Sequence, residues 1–129
     1  MRTLLIVIAI YQGANGAAML VAPEFWYGIA PGADHTGPIN IHFIRDIGLA
    51  FLAAAAALVV ATREDMRTAA LIPALVFLGG HAGLHVVEMI AHGTTATAAL
   101  RDLALIVVPA FLPLLALRTG EARYGRTAP

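Results

Sequence analysis

Apolar residues do not alternate with polar ones along this chain; they run together. Residues 3–22 carry no charge at all, and three further stretches, 39–62, 68–91 and 98–117, are apolar apart from a few isolated ionisable side chains. A transmembrane helix needs roughly 20 such residues, so the pattern predicts four membrane-spanning helices and no strands. The segments between them are short, except for residues 23–38, which are rich in Pro and Gly and carry the aromatic trio Phe25, Trp26 and Tyr27. That segment is expected to be an external loop with Trp26 and Tyr27 at headgroup level. Four helices joined by short links pack as antiparallel neighbours. The expected fold is therefore an all-α, integral membrane, antiparallel four-helix bundle forming a single membrane domain over residues 1–129.

Composition sharpens this picture. Of 129 residues, 60% are hydrophobic and 12% charged, against about 25% charged in a soluble domain, which excludes a water-soluble enzyme or a disordered chain. The eight acids balance eight bases, so no basic surface offers itself to nucleic acid. There is no cysteine, which leaves His and carboxylates as the strong metal ligands. The first span follows Arg2 and has small residues at 14–18, as a signal peptide would, but it is expected to remain as a helix. Arg2, Arg63, Arg67, Arg118, Arg123 and Arg126 fall at the N-terminus, the second-to-third link and the C-terminus. Cytoplasmic segments carry the excess of bases, so both termini are expected in the cytoplasm of a multi-pass protein of the bacterial inner membrane.

Small residues allow helix backbones to approach in lipid. They recur at helical spacing as Gly13 with Ala17, Gly48 with Leu52 and Ala56, and Gly79 with Gly83. Pro73, Pro109 and Pro113 lie within spans, where they are tolerated when neighbours satisfy the freed carbonyls, and they are expected to bend the third and fourth helices.

Ionisable groups inside a membrane are costly and mark functional sites by default. On the third span His81, His85, Glu88 and His92 fall within roughly 60° of one another at about 100° per residue, forming one stripe with His92 at its outer edge. On the second span His42 and Asp46 share a face, with Arg45 beside them. Arg101 and Asp102 open the fourth, and on the first Tyr11 and Asn15 share a face flanked by Gln12. The antiparallel order brings these groups together in the outer half of the bundle, with His81 deepest, as a polar pocket opening outward.

Two imidazoles four residues apart on one helix can share a metal ion. His81 and His85 have that spacing, and His42 with Glu88 would complete an open site for a divalent transition metal, Zn, Cu or Fe. Arg45, Asp46, Arg101, Asp102, Asn15 and Gln12 would orient the ligands or balance charge. If the protein is an enzyme, metal-bound water would act on a lipid-like substrate, with Glu88 or Asp46 as general base. Three alternatives stand beside this. One is a redox subunit in which histidines ligate haem b or meet a quinone. Another is an outward proton path along the stripe from His81 to His92. The last is a non-catalytic partner subunit, or a homo-oligomer, glued by a polar hydrogen-bond seam.

The stretch Asn40-Ile41-His42-Phe43-Ile44-Arg45-Asp46-Ile47-Gly48, followed by His81-Ala82-Gly83-Leu84-His85-Val86-Val87-Glu88, resembles the small DoxX-like four-helix membrane proteins of bacteria. The resemblance is closest to an uncharacterised group with an H-F-x-R-D-x-G segment opening helix two and an H-A-x-x-H segment followed by an acid closing helix three. It covers most of residues 3–117 and implies the same four-helix fold, in a class that includes quinone-linked redox components. A looser similarity, of site chemistry only, is to seven-helix membrane hydrolases of the adiponectin-receptor and ceramidase type, whose zinc is held by an H-x-x-x-H pair and a further His; His81, His85 and His42 match that set.

Overall fold

The computed structural model describes residues 1–33 and 37–117. The chain is helical, and no strand occurs among the described residues. Helix α1 covers Arg2–Val21, α3 covers Ile41–Val60 and α4 covers Arg67–His92. The fourth long helical segment, Ala96–Leu117, is composite. It begins as α5, Ala96–Asp102, passes through a π-helical turn at Leu103–Val107, resumes as α6, Val108–Phe111, and tightens to a 3₁₀ turn at Leu112–Leu114. All four are long and apolar enough to cross a membrane.

The long first link departs from a plain loop. Pro23–Ile29 forms a short helix, α2, with its proline in the first turn and Glu24 beside it. Both residues favour a helix start, the ring by fixing φ and the carboxylate by facing unpaired amides. Trp26 and Tyr27 are half-buried: the Trp26 indole Nε1 donates to Asn15 Oδ1 of α1 at 2.8 Å, and the Tyr27 hydroxyl donates to the Gly37 carbonyl of the same link at 2.5 Å. Asn40 caps α3 by accepting from the Phe43 amide at 3.0 Å. The α4–α5 link is only three residues; Gly93 turns it at φ +73°, and Thr95 caps α5 by accepting from the Ala98 amide at 3.2 Å.

The core is a narrow column of aliphatic and alanine side chains, among them Leu5, Ile8, Leu58, Leu71 and Leu78. Outside it, large apolar residues such as Val21, Val76, Ile90 and Leu100 are more than two-thirds exposed, which is the surface expected of helices solvated by lipid. The closest helix approach is between α1 and α3. A methyl group built on Gly16 would lie 2.6 Å from the Gly48 carbonyl oxygen, and one on Gly48 would lie 2.9 Å from the Gly16 carbonyl oxygen. Of the small-residue pair Gly13 and Ala17, Gly13 faces Ala55 of α3 at 3.5 Å, while Ala17 is exposed. The Gly79–Gly83 pair does not make a comparable crossing: Gly79 meets only the Phe111 ring at 3.4 Å, and nothing lies within 4 Å of Gly83.

Helix α4 runs through Pro73 without interruption, whereas the fourth span changes helix type around Pro109 and Pro113. An α-helical carbonyl accepts from the amide four residues on, and Pro109 has no amide proton to give Leu105. The helix responds with the π-helical turn, and the Tyr11 hydroxyl of α1 donates to the Leu105 carbonyl oxygen at 2.7 Å. A backbone acceptor that would otherwise be orphaned in lipid is thereby satisfied from a neighbouring helix.

Candidate functional site

The α-helical spacing of four places His81 and His85 on one face of α4, and their rings meet edge to face with centroids 4.9 Å apart. His81 also lies edge-on to Phe51 of α3 at 5.2 Å and is stacked with Phe77 at 6.2 Å. Phe51 and Phe77 are themselves edge to face at 5.0 Å. The result is a cluster of four rings around the α3–α4 contact. His85 points on toward the fourth span, where its Nδ1 lies 3.6 Å from Asp102 Oδ2. The other oxygen of the same carboxylate accepts from Arg101 Nε at 3.0 Å.

These contacts form a chain. From His81 to His85 to Asp102 to Arg101, each group touches the next, and only the last is well exposed: the side chains of His85 and Asp102 are 23% and 13% exposed and that of Arg101 is 41%. Counting helix rise at 1.5 Å per residue, His85 and Asp102 both lie about 10 Å in from the α4–α5 link. Because the two helices are adjacent and antiparallel, equal depth follows from nearly equal distance to the link. Arg101, one residue earlier, is turned outward and reaches back to the carboxylate along its own helix.

The other expected members fall elsewhere. His42 sits at the start of α3 with its side chain 90% exposed, and its Nε2 lies 3.4 Å from Asp46 Oδ2 on the same helix. The shared face of this pair is present, but it is a rim feature in the first turns of α3. Arg45 donates from Nε to the Leu20 carbonyl at 3.3 Å, closing the end of α1. Glu88 and His92 continue the α4 stripe outward as exposed residues. Asn15 is engaged by Trp26 and lies 3.9 Å from the Met19 sulfur, and Gln12 is buried in the core. Among the described residues, no group of three or more His, Asp and Glu side chains gathers where it could hold a metal ion. His35 of the first link lies outside the described residues.

Sequence reasoning gave Asp102 a supporting part beside Arg101, whereas in the structure it is the residue of the fourth span that faces His85 of α4. It did not single out Phe51 or Phe77 at all. Their signal was available: Phe77 is four residues before His81, so it continues the same stripe one turn deeper. Comparison with family models, with curated proteins and with solved structures finds no match for this chain in any of the three.

Proposed function

We propose that this chain is a multi-pass subunit of the bacterial inner membrane that binds a lipid-soluble quinone or quinol at the His85–Asp102 contact. The observation that carries the proposal is the pairing of His85 Nδ1 with a carboxylate at 3.6 Å inside a membrane-spanning bundle. A carboxylate at Nδ1 favours the tautomer with its proton there and leaves Nε2 as a base. Such a nitrogen accepts the hydroxyl proton of a quinol or, when protonated, donates to a quinone oxygen. The rings of His81, Phe51 and Phe77 supply flat apolar surface beside it. Arg101 holds the other oxygen of Asp102 at 3.0 Å and is itself 41% exposed, so the pair extends from the contact toward the membrane surface. The electrons would pass to a redox partner protein. The DoxX-like resemblance of residues 40–48 and 81–88 points the same way, and the arginines at the termini and the α3–α4 link support cytoplasmic termini, with the site opening on the periplasmic side.

The test is binding of a short-chain ubiquinone analogue to the protein in lipid nanodiscs. Saturable binding is expected, weakened by about tenfold or more in His85→Ala and Asp102→Ala, since each loses a charge-assisted contact. Wild-type protein without saturable binding, or both variants binding as well as wild type, overturns the proposal.

A divalent transition metal on His81 and His85 is the second reading, favoured by their spacing and the 4.9 Å ring separation. It needs a third donor to swing in, Asp102 being the nearest carboxylate to His85. Near-stoichiometric Zn, Cu or Fe by elemental mass spectrometry, lost in His85→Ala, would favour it over the quinone.

A further inference from the structure

At the end of the bundle away from the α3–α4 link, the last turn of α1, the first turn of α2 and the first turn of α3 enclose an open groove of about 260 Å³. Its walls are apolar, from Val21, Phe25 and Ile41, and it carries one cation, Arg45, and one anion, Glu24. Those two charges line the same groove without pairing: among the described residues neither takes part in an ion pair. The carboxylate nearest to Arg45 in sequence, Asp46, faces His42 at 3.4 Å instead.

The guanidinium is also fixed in place. Its Nε donates to the Leu20 carbonyl, in the last turn of α1, where carbonyls run out of helical amide partners. The two terminal nitrogens are thereby left with no protein acceptor among the described residues, and a guanidinium edge matches two oxygens of a phosphate. The groove lies where the apolar run of α1 stops, which is the depth of lipid headgroups. Val21 and Phe25 are 81% and 65% exposed, so acyl chains have an apolar surface directly beside the charges.

We propose that this groove binds the headgroup of a zwitterionic aminophospholipid, with the phosphate on Arg45 and the primary ammonium on Glu24. Opposite charges held apart in one groove match a headgroup that carries both signs a few bonds apart. A phosphoglycerol headgroup has no cation to set against Glu24, only hydroxyls, whose hydrogen bonds are weaker than those of an ammonium. A choline headgroup has the charge but no N–H to donate to it. The site shares no residue with the His85–Asp102 contact, so it stands or falls independently of the function proposed above.

The test is retention of lipid by the detergent-purified protein, read by native mass spectrometry after exposure to an equimolar mixture of phosphatidylethanolamine, phosphatidylcholine and phosphatidylglycerol. Wild type is expected to keep about one phosphatidylethanolamine per chain, about fivefold over either competitor. Arg45→Ala should lose that retention, and Glu24→Gln should bring ethanolamine and choline lipids close to parity. Glu24 is exposed and Gln keeps the size and shape of its side chain, so this variant decides the matter even if Arg45→Ala loses helicity by circular dichroism. Equal retention of the three lipids by wild type, or an unchanged ethanolamine preference in Glu24→Gln, overturns the proposal. Displacement of the bound lipid by free glycerophosphoethanolamine at equal concentration would overturn its lipid part and make the ligand a soluble phosphoamine.

Discussion

The two halves of this bundle are joined by different chemistry. Helices α1 and α3 meet through bare backbone: Gly16 and Gly48 face each other so closely that neither has room for a methyl group. Helix α4 meets the fourth span through side chains, by His85 against Asp102 and Phe111 against Gly79, and the fourth span itself changes helix type there. In lipid there is no hydrophobic drive for one helix to prefer another, so the first contact is held by dense van der Waals packing and the second by polar pairing. The first tolerates almost no substitution and little movement. The second rests on a few polar and ring contacts, which substitution can remove one at a time.

Breaking the dry side should have the largest effect. Gly48→Val places branched carbon against the Gly16 carbonyl, and overpacking of this kind costs about 2 kcal/mol or more; thermal unfolding in detergent should show the loss, with Gly16→Val behaving alike. Wild-type stability in both would mean that the backbones do not touch. On the wet side, Asp102→Ala leaves His85 and Arg101 without their shared partner and is expected to cost about 1–3 kcal/mol. His85→Ala in that background should add far less than it does alone, a non-additivity that a double-mutant cycle measures. Tyr11→Phe removes one interhelical hydrogen bond and should cost only about 0.6 kcal/mol, the usual worth of such a bond in a membrane. Pro109→Ala should abolish even that, because it returns to Leu105 the amide donor it lacks. Smallest of all, Gly83→Ala meets open space and should change stability by less than about 0.5 kcal/mol; a larger loss accompanied by a change in oligomeric state would transfer the GxxxG motif to a contact between copies.

The spans and the face shared by His81 and His85 were legible in the sequence because both depend only on local rules: the length of an apolar run and the pitch of a helix. The tight crossing was not, because Gly13, Gly16, Gly48, Gly79 and Gly83 look alike until the rotation of each helix is known. The same ignorance of rotation separated Arg101 from Asp102. Adjacent on the helix, they differ by about 100°, so only one could face inward, and the carboxylate does. His42 was drawn into the deep site by its type rather than its depth; as the second residue of α3 it sits at the rim. The Tyr11 bond to Leu105 was recoverable in principle, since a proline in a buried helix names its orphaned carbonyl by counting back four residues. What counting cannot say is which neighbour supplies the donor.

The three-residue link at Gly93–Thr95 bears on how such a chain enters a bilayer. A lone Asp at the centre of an inserting helix opposes partition by about 2.5–3.5 kcal/mol. Asp102 need not enter alone, because so short a link makes α4 and α5 a hairpin in which His85 and Arg101 are within reach from the outset. The polar pairing that joins the finished bundle thus also lowers the barrier to its assembly, and lengthening the link should lower the yield of inserted protein before it alters the folded one.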